Sequence, residues 1–441
     1  MQGSPAVTPP RAFQLSNASI DAVRDEVEFA HAELPFFREH LGGAGIEPAD
    51  IRSADDLRRI PATSKVHYRT HFPSGVVASG WRVGDPMVTR LQSSGTEGDR
   101  LVTLVHTWTL AERMATCLGV NDRLRFLADA ERIRTARYAA PNCSDVECAN
   151  PNSKMADRML EDGTLVLPVY HDLLVTPAFM LDRAFGEIRE FAPNCLYVDP
   201  IHFSHLLGHA ERAGLQHPSW EGVAVLTSYS LLTRTHRRLI GRMLGPDVPV
   251  ANVVAMSELG FVAAECTYGR LHVNTSDFYV ELVDEAGAAV PPGTAGELCI
   301  TTIGDRLSPK IRYRTGDLYR AHEDPCRCGS PMPTADYLGR MRHSFRAPGG
   351  AWVTPADVDA VVGEREWLRN YQLARGSSGR FVFRCIGAGE PPEDELRDIR
   401  DGLGHLLGGA RVRAEATGYI PAERSGKFLT CKNDYPEEAA S

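Results

Sequence analysis

Short segments spread along the chain hold residue types that could bind and move phosphoryl or acyl groups. In Ser93-Ser94-Gly95-Thr96-Glu97-Gly98, small hydroxyl residues and glycines lie between two apolar runs. Backbone N–H groups and hydroxyls there can wrap an oxyanion, although a plain polar hairpin loop would read the same way. No Gly-Lys-Ser/Thr follows, so this is not a Walker loop. Ile311–Leu318, IRYRTGDL, reads as a strand ending in a turn that presents Asp317 beside Gly316. A carboxylate so placed can accept two hydrogen bonds from a diol such as ribose, or can cap its own backbone. Gly339-Arg340 comes next, and then Gly426-Lys427 within ERSGKFLTCKND, Glu423–Asp434. A lysine in such a loop is either a solvated surface charge or a stabiliser of charge on a transferring phosphoryl or acyl-phosphate group.

A second set is thiol-based. Cys326-Arg327-Cys328-Gly329 is a compact thiolate pair, and Cys266 and His272 stand close together in ECTYGRLH. Three thiolates and one imidazole make a closed tetrahedral site for structural Zn²⁺; the alternative is four unrelated buried side chains. Cys143 and Cys148 form a C-x₄-C pair with no companion histidine nearby and read as a surface loop. His202, His205 and His209 share one helical face, where they would cover a core, meet solvent or line a pocket.

Two kinds of element must position these residues. Residues 1–75 read as helices with loops, Ser19–Leu41 and Pro48–Ile60 among them, and Met87–Thr107 as strand, polar loop, strand. Apolar strand-like runs at Thr164–Tyr170, Cys195–Val198 and Val223–Leu226 alternate with amphipathic stretches at Pro177–Phe191 and Ile201–Ala213, which argues for an α/β sheet with covering helices. From Gly269 the texture turns β-rich, with turn signals at Glu285–Gly287 and Pro291–Gly296. Another α/β pattern starts after Gly339-Arg340. The expected division is a large N-terminal α/β domain, 1–338, with a β-rich subdomain at 268–338 carrying the thiol pair, then a small α+β C-terminal domain, 339–441.

Composition sets outer limits. With 441 residues, two or three domains are expected. A hydrophobic fraction of 43% and a charged fraction of 24% suit a soluble globular protein, and a net charge of −9 argues against a nucleic-acid partner. No apolar run is long enough to span a membrane, Met1–Pro10 lacks the apolar stretch of a signal peptide, and ten cysteines without an export signal point to free thiols or metal ligands. The expected setting is cytoplasmic, in secondary metabolism. The cations are nearly all arginine; Lys65, Lys154, Lys310, Lys427 and Lys432 are the lysines.

Taken in this order, the Ser/Thr/Gly loop, YRTGD, Gly-Arg and Gly-Lys resemble the signature set of the adenylate-forming superfamily of acyl-CoA synthetases, adenylation domains and luciferases. Within it the chain is similar to the phenylacetate–CoA ligases over nearly its whole length: Phe36–Lys65, the SSGTEG loop, MSELG (Met256–Gly260), GELCITT, IRYRTGDL and CRCGSP follow in the family order. The resemblance implies that Ser93, Ser94, Gly95, Thr96 and Gly98 line the ATP phosphates. It implies that Ser257 belongs to the cofactor site, that Glu258 ligates Mg²⁺, and that Asp317 holds the ribose hydroxyls. Arg340 would contact ribose or phosphate, and Lys427 would bridge the acid and the α-phosphate. Gly350 would border a thioester tunnel once the mobile C-terminal domain turns. The chain departs from the family at several positions. Val254-Ala255 stand where Tyr-Gly is usual, Ser228-Tyr229-Ser230 replace the adenine segment so that Tyr229 supplies the aromatic face, Met341-Arg342 replace the acidic hinge, and Asp99-Arg100 replace Lys-Pro.

The leading reading is therefore ATP-dependent activation of a small carboxylic acid, aromatic by resemblance, as acyl-AMP with release of pyrophosphate. CoA is then the default acceptor, and the cofactors are ATP, Mg²⁺ and structural Zn²⁺. A second reading keeps adenylation but passes the acyl group to an amine, a carrier-protein thiol or nitrite. A third is an inactive, zinc-stabilised binding homologue. A second copy of the chain or a carrier protein is the candidate macromolecular partner.

Overall fold

The computed structural model describes residues 19–82, 84–92, 100–141 and 146–435. The Ser93–Gly98 loop and Cys143 lie outside the described residues. The N-terminal segment forms α1 (Ile20–Glu33), α2 (Pro35–Gly43), α3 (Ala54–Arg59) and α4 (Lys65–His71). Ser19 caps α1 by accepting from the Ala22 N–H, and Val23, Val27 and Ala30 form its buried face. The helical pattern read across Ser19–Leu41 is thus two helices. Pro35 opens the second and holds Leu34 extended, at φ −111°, ψ 111°.

A hairpin of β1 (Val88–Gln92) and β2 (Val102–His106) follows, as the strand–loop–strand pattern predicts. Next come α5 (Thr107–Leu118), α6 (Arg125–Asp129), β3 (Thr135–Tyr138), β4 (Leu165–Val166), α7 (Ala178–Phe191), β5 (Cys195–Val198), α8 (Pro200–Ala213), β6 (Ala224–Thr227), α9 (Arg234–Leu244), β7 (Val250–Met256), β8 (Gly260–Glu265) and β9 (Leu271–Val273). Their strands make one seven-stranded sheet in the order β4-β3-β5-β6-β7-β8-β9. Its β4-to-β7 part is parallel, and β8 and β9 add antiparallel strands at one side. The carboxyl ends of β5, β6 and β7 open side by side, the usual place for a ligand in such a sheet.

The β-rich segment is an antiparallel meander of β10 (Phe278–Val283), β11 (Ala295–Thr302), β12 (Tyr313–Ala321) and β13 (Ala335–Arg340). All six residues of β10 are buried, because the N-terminal helices cover this sheet: Val23, Phe37 and Leu41 share one core with Val280, Leu298 and Ile300. Beyond Arg340 the chain forms β14 (Phe345–Arg346), β15 (Trp352–Val353), α10 (Pro355–Val362), β16 (Leu368–Arg375), β17 (Phe381–Gly387), α11 (Glu393–Leu406), β18 (Val412–Ala416) and β19 (Cys431–Asn433). This lobe has its own core around Val358, Tyr371, Phe383 and Leu403. It docks on α9: the Arg234 backbone N–H donates to Asp359 at 3.1 Å, Arg238 donates to the carbonyls of Arg365 and Leu368, and His236 Nε2 meets Asn370 Oδ1 at 3.0 Å. A small apolar cluster of Leu173, Ile201, Ile420 and Phe428 joins the lobes at a second point.

Candidate active site and thiol–imidazole centre

Adjacent strands bring Asp317 and Arg340 together. They are register partners on β12 and β13, and Arg340 Nε lies 2.9 Å from Asp317 Oδ1. Asp317 is 2% exposed. Burial pushes its carboxyl above the usual range, although the Arg340 guanidinium pulls the other way and Tyr337 donates to Oδ1 at 3.4 Å. Arg340 also donates to the Thr315 carbonyl at 3.2 Å, which spans the YRTGD turn. Gly339 has φ +106°, and a Cβ there would meet Pro355 Cγ at 2.7 Å; only glycine lets β13 pass into the next lobe this closely.

Glu258 follows β7 and is buried beside Lys65, whose Nζ is 3.3 Å from its Oε1. The Tyr313 hydroxyl is hydrogen-bonded to Glu258, and burial drives that phenol well above its usual range. Ser257 Oγ donates to the Gln92 carbonyl at 3.3 Å, and Thr103 Oγ1 donates to the Ser257 carbonyl at 3.2 Å. Gln92 and Thr103 are on the strands that bracket the Ser93–Gly98 loop, so Glu258 stands beside the loop's two stems. A buried carboxylate in this place suits Mg²⁺, a hard cation that takes oxygen ligands.

Tyr229 lies just past β6 with φ +72°, a left-handed conformation that costs a non-glycine residue about 1–2 kcal/mol. Its ring stands 5.1 Å from that of Tyr197, tilted by 55°. The Gly426-Lys427 loop approaches from the other lobe. Its turn is closed by Gly426 N–H to Glu423 O at 2.7 Å and Glu423 N–H to Lys427 O at 2.8 Å. A Cβ on Gly426 would meet Pro141 Cδ at 2.5 Å, so the loop is pressed onto the N-terminal lobe. His343 is driven down to about 3 by burial first, then by the positive charges of Arg342, Arg340 and Lys427. The Gly-Arg and Gly-Lys motifs therefore share one electrostatic neighbourhood. Gly350 sits in the exposed β14–β15 turn, where its carbonyl accepts from Arg346 at 2.6 Å and Arg346 pairs with Glu285.

The thiol cluster assembles at the far end of the meander. The ligand atoms of Cys266, His272, Cys326 and Cys328 lie within 4.8 Å of one another. Cys266 and Cys326 Sγ are 3.7 Å apart, and Cys328 Sγ is 3.2 Å from His272 Nε2. A tight turn joins β8 to β9, with Cys266 N–H to Arg270 O at 2.9 Å and Gly269 N–H to Cys266 O at 3.0 Å. His272 Nδ1 is 2.8 Å from the Met332 carbonyl, which fixes the proton there and leaves the Nε2 lone pair facing the thiols. The donor set fits Zn²⁺ in chemistry and in the orientation of its imidazole.

The three histidines of α8 do not share one pocket. His202 is wholly buried beside Asp199, burial pushes His205 down to about 4, and His209 pairs with Asp182 at 2.8 Å. Sequence reasoning missed Lys65 and Tyr313 as neighbours of Glu258. The scarcity of lysine was the one available signal for Lys65.

No family model matches the chain. The phenylacetate-coenzyme A ligase of Thermus thermophilus is 27% identical to it over 463 residues, which cover 95% of this chain and 97% of that protein. The chain is thus similar over nearly its whole length to the phenylacetate–CoA ligases. The Escherichia coli phenylacetate-coenzyme A ligase is 28% identical over 363 residues, covering 80% of this chain and 78% of its own length. Among solved structures, 2-hydroxyisobutyryl-CoA ligase in the postadenylation state, in complex with R3-HIB-AMP, superposes with a TM-score of 0.70 at 16% identity. That match covers 98% of this chain and 94% of the other, and it shows that the α/β architecture is shared. Val254-Ala255 lie on β7, and Tyr229 follows β6.

Proposed function

We propose that this protein is an AMP-forming ligase that activates a carboxylic acid with ATP, releases pyrophosphate and passes the acyl group to coenzyme A. The observation that carries the reading is convergence from two lobes. The buried Asp317–Arg340 pair and Glu258 come from the N-terminal lobe, and the Gly426-Lys427 loop presses in from the other. In this reading Asp317 accepts from the ribose hydroxyls, Arg340 holds Asp317 ionised, and Tyr229 offers its ring to adenine. Lys427 offsets charge as a carboxylate oxygen attacks the α-phosphate and the bond to pyrophosphate breaks. Ser93, Ser94, Gly95, Thr96 and Gly98 donate to the phosphates, and Ser257 anchors Glu258. Mg²⁺ held by Glu258 would neutralise phosphate charge. Gly350 would line the route of the thiol after the C-terminal lobe, 339–441, turns about Gly339-Arg340 relative to 1–338.

An aromatic acid is the favoured substrate because the relatives are named for phenylacetate. Zn²⁺ on Cys266, His272, Cys326 and Cys328 would be structural, since four protein ligands leave no open position. No helix among the described residues is long and apolar enough to cross a membrane, which is compatible with a cytoplasmic enzyme. The test is pyrophosphate release with a panel of aryl and alkyl acids, run with and without coenzyme A, with product analysis. Acid-dependent pyrophosphate and an acyl-CoA product are expected. Pyrophosphate without coenzyme A consumption would move the acceptor to an amine, a carrier-protein thiol or nitrite. No acid-dependent pyrophosphate from any acid would overturn the reading.

A further inference from the structure

Lys65 is a cation that the reading above does not use, and it stands inside the same site. It opens α4, and the residues before it are stitched to the strand that carries Asp317. The Thr63 N–H donates to the Arg312 carbonyl at 2.9 Å, and the Arg314 N–H donates to the Thr63 carbonyl at 2.9 Å. Thr63 Oγ1, wholly buried, donates to the Ile311 carbonyl at 2.8 Å. The Ser64 N–H donates to His67 Nδ1 at 3.0 Å, which fixes the first turn of α4. The backbone under Lys65 is therefore held on β12, just ahead of the YRTGD turn.

From there Lys65 Nζ reaches to 3.3 Å from Glu258 Oε1, with side-chain exposures of 26% and 10%. A partly exposed pair of this kind contributes little to stability, about 0–1 kcal/mol, so the fold does not require it. Its location is informative. Glu258 sits beside both stems of the Ser93–Gly98 loop, tied there through Ser257, Gln92 and Thr103. That loop is followed by Asp99-Arg100 and carries no lysine of its own. When a divalent cation takes Glu258, the carboxylate no longer balances the ammonium. A lysine then needs a new anionic partner within reach of its flexible stem.

We propose that Lys65 is the lysine of the ATP polyphosphate: it binds oxygens of the β- and γ-phosphates and offsets the charge that collects on pyrophosphate as the α-phosphate bond breaks. The inference rests on the ATP-dependent reading of the site. It assigns to an N-terminal helix a task that phosphate loops often perform themselves. Lys65 reaches the leaving pyrophosphate, whereas Lys427 acts on the acid and the α-phosphate from the opposite lobe.

The test is equilibrium binding of ATP, pyrophosphate and AMP to wild type, Lys65→Met and Lys65→Arg, each without and with Mg²⁺, with melting curves to check folding. One lost charge-assisted contact corresponds to about a tenfold or greater loss of affinity. Lys65→Met should lose that much for ATP and pyrophosphate in the presence of Mg²⁺, should hold AMP as wild type does, and should be partly rescued in Lys65→Arg. Equal loss for AMP and ATP would mean general damage to the site and would overturn the proposal. A loss that raising the Mg²⁺ concentration restores would overturn it in favour of a lysine that merely positions Glu258. Wild-type affinities in Lys65→Met would remove the inference alone, whereas a wild type that binds neither ATP nor AMP would remove the ATP-dependent reading as well.

Discussion

In the proposed mechanism Lys427 and Asp317 serve different parts of the nucleotide, so their loss should separate kinetically. Lys427→Ala removes a charge stabiliser from the reacting phosphate, and such a loss costs about 3–4 kcal/mol, or roughly 10²–10³ in rate. Acid-dependent pyrophosphate release should fall by that factor while the melting temperature holds, since Gly426 packed on Pro141 and Phe428 in its apolar cluster anchor the loop. Wild-type rates in the variant would take Lys427 out of the chemistry. Asp317→Asn keeps the shape but loses the charge that Arg340 faces at 2.9 Å. ATP affinity should drop by about 1.5–3 kcal/mol, the worth of a charge-assisted hydrogen bond, with less effect on the rate at saturating ATP. A titration of ATP binding checks this, and an unchanged dissociation constant would exclude Asp317 from the ribose site.

The β8–β9 turn and the loop between β12 and β13 form the thiol centre, so its loss should be felt along those strands. Protein purified without added metal should carry one Zn²⁺ per chain. Cys326→Ser should lower the melting temperature, because metal affinity in such a site is also folding free energy. The same loop joins the strands that hold Asp317 and Arg340, so a modest weakening of ATP binding should accompany it. Metal analysis and melting curves with chelator decide the matter; a stoichiometry near zero with an unchanged melt would leave four ordinary side chains. Thiol reactivity offers a further readout. Burial pushes Cys117 and Cys195 up to about 12 and Cys299 and Cys431 higher still, whereas Cys326 and Cys328 are partly exposed. Cys328 is itself raised to about 11 and Cys326 is lowered, so among the described cysteines chelator treatment of the native protein should open Cys326 to alkylation first.

At the scale of the molecule, one buried carboxylate ties the N-terminal helices to the meander. Glu26 on α1 accepts from Thr302 Oγ1 at 2.5 Å and from the Asp305 N–H at 3.1 Å, and is wholly buried. Burial first, and then the nearby Asp305 charge, raise its pKa from 4.5 to about 7. Folding therefore takes up a proton between those values. The contribution is fully present below about pH 4.5 and is lost as pH rises through about 7. Glu26→Gln removes this dependence. The stability difference between variant and wild type should shift in favour of the variant from pH 5 to pH 7, by up to about 3 kcal/mol. Melting curves of both proteins across that range check it, and parallel curves would mean that Glu26 stays ionised. Lys310, driven down to about 8 by burial, titrates above this window.

Local geometry was legible in the sequence alone. The residue types of YRTGD, Gly-Arg and Gly-Lys, the turn between Cys266 and His272, and the alternation of strands and helices all depend on neighbours in the chain, which set turn geometry and burial pattern. The family resemblance rested on the order of those same motifs. Which residues meet was decided by tertiary structure. Lys65 faces Glu258 because Thr63 bridges to Tyr313, a pairing between distant segments that no local pattern encodes. His272 reaches Cys328 because its strand also bridges to Thr334. The unbroken burial of β10 comes from helices laid over a meander whose exposed face would otherwise have alternated with polar residues. Side-chain types determine which chemistry is available, whereas contacts between distant segments depend on how whole sheets and helices bury one another.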